Sequence, residues 1–585
     1  MTSFDYPNFK AHFVELLRES AKALIAPGDA VPIELVRTKQ ANHGDYSCNL
    51  AMQLAKPLHK SPREIASLLI NALPTSPYLD KVEIAGAGFI NLFLKSSAKQ
   101  QFLRHILQNK ETFGHSDFGQ AKKIQVEFVS ANPTGPLHVG HGRGAAIGAS
   151  LSSILAAAGF NVSREFYVND AGRQMDILTL STWLRYLELN NVHILFPLNA
   201  YQGEYVKTMA RQIHQAHAQR YVHQPELLLN GLPEIAQEAA VDTDEQLDQL
   251  IANAKKVLGQ DYVYIHNFVL TEQLADCRND LMEFGVEFDT WFSEQSLFDN
   301  GLVAHAIELL EKKHYLYQQD GATWFRSTDF GDEKDRVVQR ENGQFTYFAS
   351  DIAYHLNKFE RGFEQVINIW GADHHGYIPR VKGALQALGL DPHKLEIALV
   401  QFAVLYRAGK KAPMSTRSGE FVTLRELRQE VGKDAARFFY VMRKSDQHLD
   451  FDLDLAKSQS NDNPVYYVQY AHARVCSVLA QWEGEVNDLI VANTEILTSP
   501  MELALLQKLI DFPDIVEMAA KEFSPHVVAF YLRELASEFH SYYNSTRFLV
   551  PEIPVQHARL ALIASIRQIL KNGLTLLGVN APDKM

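Results

Sequence analysis

Cysteine is nearly missing from this chain. Three occur among 585 residues, Cys48, Cys277 and Cys476, and none forms a C-x-x-C pair. That excludes a disulfide framework and a zinc knuckle, and no metal site or tightly bound cofactor is read from the sequence. Long apolar runs are missing too: no segment approaches the ~20 residues needed to span a bilayer. The start, Met1-Thr-Ser-Phe-Asp-Tyr-Pro7, has neither a basic n-region nor an apolar h-region, so cytoplasmic residence is expected, with no membrane partner. Positive charge is in deficit, with 56 Lys and Arg against 69 Asp and Glu and a net charge of −13. A protein that grips RNA by non-specific phosphate attraction is usually basic, so any RNA contact here has to rest on local patches. Internal repeats and low-complexity tracts are absent as well.

What is present reads as a multidomain globular chain, with 46% hydrophobic and 21% charged residues. Residues 1 to about 115 read as an α+β unit. It has a helical pattern at Phe9, Phe13, Leu16 and Leu17, a second at Ile65, Leu68 and Leu69, and a strand-like stretch from Val82 to Leu94 interrupted by Gly86 and Gly88. The polar, glycine-containing run from 111 to 121 marks a boundary. From about 120 to 455 the pattern is α/β. Ile124, Val126 and Phe128 alternate as a strand, and Ser130-Ala-Asn-Pro-Thr-Gly-Pro136 is a turn-rich loop. A small-residue helix runs from His138 to about Ala158, and Val162 to Val168 forms a second strand. This βαβ order predicts a parallel, Rossmann-type sheet. A largely helical, Gln-rich insertion occupies about 175 to 285. The sheet pattern is expected to resume at Thr323–Phe325 and to continue through Val366–Trp370 and Ile397–Leu405. From 456 to 585 only helical patterning remains, which implies an all-α bundle.

The motif that carries chemistry is His138-Val-Gly-His141, at the point where loop becomes helix. A helix N-terminus offers unpaired N–H groups and the positive end of a dipole to a phosphate. Gly140 lets a nucleotide approach the backbone, and two imidazoles three residues apart face the same way. Taken alone, the pattern also fits two surface histidines near a tight turn; the strand before it and the small-residue helix after it favour a nucleotide site.

The run Glu127-Phe-Val-Ser-Ala-Asn-Pro-Thr-Gly-Pro-Leu-His-Val-Gly-His141 resembles the ATP-binding signature of class I aminoacyl-tRNA synthetases, in the form found in bacterial arginyl enzymes. The resemblance continues through Tyr167–Gln174, Phe288–Glu294, Tyr347–Asp351, Gly371–His375, Asn463–Arg474 and Leu577–Met585, so it spans nearly the whole chain in order. It implies ligation of L-arginine to tRNA(Arg) with Mg-ATP as substrate, by a monomer. Arginine's carboxylate attacks the α-phosphate, and the terminal adenosine 2′-hydroxyl of the tRNA then takes the arginyl group from the adenylate.

Residue by residue, the resemblance implies that His138 and His141 stabilise the attacked phosphate. Gly135, Gly140, Asp373 and His374 join the ATP site. Glu294, Tyr347 and Asp351 hold the guanidinium, a planar cation with five donors that calls for carboxylates. Ser130, Asn132 and Glu127 meet the amino-acid head group. The second class signature corresponds to Ala412-Pro-Met-Ser-Thr-Arg-Ser-Gly419, where Met414 and Ser415 persist but both usual lysines are missing. Some arginyl enzymes place a lysine before the His pair instead; here that position is Gly135. Arg417, Lys410 and Lys411 are the replacement candidates, with the choice among them open and Arg417 carried as a catalytic candidate. For tRNA, the resemblance implies Phe89 and Asn91 of the N-terminal unit at the elbow, against the plain alternative of a core Phe beside a strand-edge Asn. Tyr467 and Arg474 belong to the aromatic and basic helix of an anticodon-binding bundle, some of whose tyrosines must serve core packing. Three rivals remain open: a small-molecule nucleotidyltransferase, a non-catalytic synthetase-like binding protein, and a synthetase for another amino acid.

Overall fold

The computed structural model describes residues 7–25, 31–38, 41–232, 243–412 and 422–585. In the N-terminal part, strands β1 (Leu35–Arg37), β2 (Tyr46–Cys48), β3 (Leu79–Ala85) and β4 (Phe89–Leu94) form an antiparallel sheet in the order β1-β2-β4-β3. The stretch interrupted by Gly86 and Gly88 is therefore a hairpin, with Ala85 paired to Phe89. A linking helix, Ser96–Asn109, fastens this part to the far end of the chain. Gln100 donates to the carbonyls of Glu495 (3.2 Å) and Leu497 (2.9 Å), and Thr494 donates back to the Gln100 carbonyl.

The central sheet is parallel and five-stranded. It contains β5 (Lys123–Glu127), β6 (Asn161–Val168), β7 (Thr290–Ser293), β11 (Gln365–Gly371) and β12 (Leu395–Val400), in the order β12-β11-β5-β6-β7. Chain order reverses across β5 and β11, and the crevice beyond the carboxyl ends of such strands is where an open α/β sheet binds ligands. The helix Val139–Ala157 crosses over from β5 to β6. It is rich in small residues because it lies close against the sheet: a Cβ on Gly148 would sit 2.2 Å from Phe128.

Two expectations about strands need correction. Thr323–Phe325 does not join the parallel sheet. It lies in β9 (Ala322–Phe325), within a separate antiparallel sheet with β8 (Leu316–Gln319) and β10 (Arg336–Gln339). The reason is local: Asp320 (φ 49°) and Gly321 (φ 74°) make a two-residue turn of the type that joins antiparallel neighbours. Ile397–Leu405 is divided between two sheets, since β13 (Ala403–Arg407) pairs with β14 (Lys410–Lys411) and β15 (Leu449–Asp452) instead.

The insertion is built mainly from the helices Arg173–Leu189, Glu204–His217, Asp244–Leu258 and Gln260–Glu283, around a core of its own that includes Trp183, Tyr221 and Ile265. The C-terminal part packs Pro464–Gln481, Pro500–Lys521, His526–Ser545 and Ile553–Leu576 against one another. Buried Arg437 ties three regions together through the carbonyls of Leu577 (2.9 Å), Phe284 (3.2 Å) and Gly285 (2.9 Å). Among the described residues no helix is long and apolar enough to cross a membrane.

Candidate active site

His138 is the N-cap of the Val139–Ala157 helix, and the two imidazoles form the cap between them. Gly140 N–H donates to His138 Nδ1 (3.1 Å), and His138 N–H donates to His141 Nδ1 (3.2 Å). Each ring therefore accepts through Nδ1 and carries its proton on Nε2. The rings stack with centroids 3.7 Å apart. Burial lowers both pKa values, and for His141 burial followed by its neighbour His138 brings it to about 3. At neutral pH the pair is a double N–H donor, not a base. A Cβ on Gly140 would strike His138 (2.8 Å) and crowd Phe402 (3.2 Å), so the glycine is a close-approach residue. Phe402 is 49% exposed and offers an aromatic face beside the pair. Nothing in its sequence context signals this, because it sits in the turn between β12 and β13.

Loop anchors converge here. Val139 N–H donates to Val422 O (3.0 Å) and Leu424 N–H to Leu137 O (2.8 Å), so the segment following residue 421 is bonded to the His-pair strand. Met414, Ser415 and Arg417 lie outside the described residues. Lys410 and Lys411 are exposed on β14. Gly135 lies under the insertion, where Tyr205 donates to Thr134 O at 2.7 Å. Asn132, exposed, donates to Gln174 Oε1 (2.8 Å). Asp373 and His374 follow β11 and are both exposed.

The carboxylates gather at the strand ends. Glu294, next after β7, is buried; Ser350 donates to its Oε1 (3.0 Å), while its Oε2 is buried with no hydrogen bond of normal geometry among the described residues. Asp351 lies one turn along from Tyr347 on the helix Tyr347–Glu360, and Tyr377 donates to its Oδ2. Desolvation is the main cause that pushes Asp351 up to about 7; Glu294 and Glu127 add to it, and Tyr377 and Lys358 oppose it. Burial also raises Glu294. A cleft of about 460 Å³ opens over Glu294, Phe298, Phe345, Tyr347 and Ser350. Glu294 lines the cleft together with Arg340, and Asp351 and the Lys358-paired Glu127 lie close enough behind it to add their negative charge.

Glu127 differs from its expected role in one respect. Both its oxygens are engaged inside the protein, Oε2 by Lys358 and Oε1 by Ser130 Oγ (3.0 Å). The structure also separates the expected RNA-facing pair. Phe89 is exposed, but Asn91 is buried, paired across the sheet with Ser47, whose hydroxyl donates to its Oδ1 (2.8 Å). Both lie on one face of β4, but β2 covers it only as far as Ile90, which leaves Phe89 at the open end of the hairpin. Tyr467 packs on His540 (4.5 Å between centroids), and Arg474 lies over Tyr470 and Tyr543, so both are partly committed to packing. His472 bonds to Pro582 O (3.0 Å) and Cys476 donates to Asp583 (3.3 Å), which pins the C-terminal tail to the Pro464–Gln481 helix. Lys358, Tyr377, Ser350 and Phe402 were missed from sequence. Lys358 carried a faint signal, since it lies seven residues after Asp351 on the same helical face.

The parallel sheet and its capped His pair define a class I aminoacyl-tRNA synthetase, and residues 102–452 match the family described as tRNA synthetases class I (R), catalytic domain. Residues 11–94 match the arginyl tRNA synthetase N terminal domain, and 468–585 the DALR anticodon binding domain. The chain belongs to the arginyl-tRNA synthetase family. It is 73% identical to the arginine–tRNA ligase of Nitrosospira multiformis over 579 residues, 99% of each chain. To that of Legionella pneumophila it is 51% identical over 563 residues, 95% of each. The fold is shared with Thermus thermophilus arginyl-tRNA synthetase, with a TM-score of 0.74 and 24% identity over 98% of this chain and 100% of that one.

Proposed function

We propose that the chain ligates L-arginine to tRNA(Arg) in two steps, with Mg-ATP as substrate. The carrying observation is the carboxylate pocket around Glu294 and Asp351, at the same strand ends as a neutral double donor on a helix N-terminus. Arginine's guanidinium sits between Glu294 and Asp351 under the Tyr347 ring, and Asn132 and Ser130 orient its head group. The carboxylate oxygen bonds to the α-phosphorus of ATP as the bond to pyrophosphate breaks. His138 and His141 donate Nε2–H to phosphate oxygens as charge builds there, which needs no proton transfer and no covalent enzyme intermediate. Gly135 and Gly140 admit the nucleotide, Asp373 and His374 meet its ribose side, and Phe402 faces the base. Met414 and Ser415 complete the ATP site. Lys410, Lys411 and Arg417 replace the missing signature lysines at the pyrophosphate, with Arg417 the principal one. The tRNA 2′-hydroxyl then attacks the arginyl carbonyl and AMP leaves.

For the RNA, Phe89 stacks at the elbow with Asn91 supporting its strand, while Tyr467 and Arg474 serve the anticodon side. The chain acts as a cytoplasmic monomer without a resident metal. Charging of bulk tRNA with each amino acid in turn, wild type against His141→Ala, tests the reading. Charging with arginine alone, lost in the variant, supports it; charging with another amino acid, or none, overturns it.

A further inference from the structure

The helix that presents Tyr347 and Asp351 is fixed to the sheet by polar groups buried where a parallel sheet normally carries aliphatic side chains. Asn368, Glu127 and Glu165 occupy one row across the sheet, since Asn368 pairs with Glu127 and Glu127 with Glu165. All three are buried. From the helix, Lys358, with no exposed side-chain surface, bonds Glu127 and donates to Asn368 Oδ1 (2.9 Å). Tyr354 donates to Glu165 Oε1 (2.7 Å), and Arg361, just past the helix end, donates to both oxygens of Glu165. Asn368 Nδ2 donates to His355 Nε2 (2.8 Å), which leaves the His355 proton on Nδ1, where it reaches the Asp351 carbonyl at 2.8 Å. Lys358 is thus connected in an unbroken series to the backbone of the guanidinium-binding carboxylate.

The same lysine reaches the head-group side. Glu127 Oε1 accepts from Ser130 Oγ, which in turn accepts from Tyr167 N–H at 3.1 Å. These bonds brace Val129 (φ 67°) and Ser130 (φ 42°), both in the left-handed region, one of them β-branched. Such a backbone persists where its surroundings over-determine it. It turns the chain from β5 toward Asn132.

We propose that Lys358 is a positioning residue for amino-acid recognition, with Glu127 acting as its partner and not as a ligand of the substrate. By holding Glu127 and Asn368 together, Lys358 fixes the spacing between the guanidinium end of the pocket on the helix and the head-group turn after β5. That spacing is a ruler for side-chain length. The inference rests on the arginine reading of the pocket.

The sign of one measurement separates it from plain electrostatics. Lys358 lies among the pocket carboxylates, so deleting its charge without moving anything strengthens binding of a guanidinium and lowers KM for arginine. Loss of positioning raises it. In ATP–pyrophosphate exchange with tRNA present, Lys358→Met is expected to raise KM for arginine by about ten- to a hundredfold, since ångström-scale misplacement carries penalties of that order, and to shift KM for ATP by less than about threefold. A buried charge left alone destabilises, so Lys358→Met/Glu127→Gln, with both charges removed, is measured beside it and is expected to show the same rise. A purely structural role would lower kcat with both KM values unchanged. Either that result or a fall in KM for arginine overturns the proposal. Asp351→Asn is the control. If it raises KM for arginine while the Lys358 variants do not, positioning fails alone; if it leaves KM unchanged, the arginine reading of the pocket fails.

Discussion

At the residue scale, protonation states decide the chemistry. The reciprocal cap fixes both imidazoles as Nε2–H donors, so His141→Ala removes the proposed phosphate donor and part of a helix cap together. Adenylate formation is expected to fall by about 10²–10³ in kcat, the range for losing one oxyanion donor, as read by pyrophosphate exchange. Because burial lowers the His141 pKa from the ordinary 6.5 to about 3 in the fold, the unfolded chain takes up this proton first as pH falls. Its contribution to stability is therefore complete above pH 6.5 and shrinks on acidification toward pH 3. Asp351 has the opposite sign. Its folded value of about 7 lies above 3.8, so the empty protein loses stability through this group as pH rises between those values. Arginine needs the ionised form. Calorimetry in two buffers of different ionisation enthalpy is expected to show proton release on arginine binding near pH 7, abolished in Asp351→Asn. Affinity should decline by up to about tenfold per pH unit below the midpoint.

At the scale of elements, close approach explains composition. The Val139–Ala157 helix meets Phe128 at Gly148, where a Cβ has no room. Gly148→Ala is expected to destabilise by about 1–3 kcal/mol, as overpacking does, despite the better helix propensity of alanine. A lower urea midpoint with an unchanged m-value would check it. The helix was readable because its strand, loop and first turn are contiguous in sequence. The sheet to which a strand belongs was not: Thr323–Phe325 and Val366–Trp370 both read as short β-branched and aromatic strands, and a two-residue turn at Asp320-Gly321 is what sends the former into an antiparallel sheet.

At the scale of the whole molecule, Arg437 bonds to the carbonyls of Leu577, Phe284 and Gly285 from a buried position. Arg437→Met leaves the buried Phe284 carbonyl unpaired, at a cost of about 1–3 kcal/mol before relaxation, while Leu577 O keeps Ser150 Oγ as a donor (3.3 Å) and Gly285 O is open to solvent. A drop of about 1–3 kcal/mol in unfolding free energy is expected, read from the urea midpoint, with loss of tRNA charging following loss of fold. The insertion is fixed to the element after the second signature loop by Arg425 with Asp276 and Asp280, and by Arg428 with Asp280 and Glu283. Both sides of the nucleotide crevice therefore share one framework.

By itself the sequence determined the βαβ unit, the His pair and its helix, and the helical C-terminal part, whereas Glu294, Tyr347 and Asp351 were grouped only through the family resemblance. For the former the signal is periodicity or a contiguous motif whose chemistry is local. Tertiary structure alone decided what the polar residues of the sheet do. Glu127 and Lys358 lie 231 positions apart in sequence, with Asn368 10 further on, and nothing in the neighbourhood of any one of them names its partner. It also decided that Asn91 is covered while Phe89 on the same face is exposed, because β2 runs alongside Asn91 but its pairing stops at Ile90. The cost of burying a charge falls on the folded arrangement as a whole, and the arrangement is what selects the countercharge.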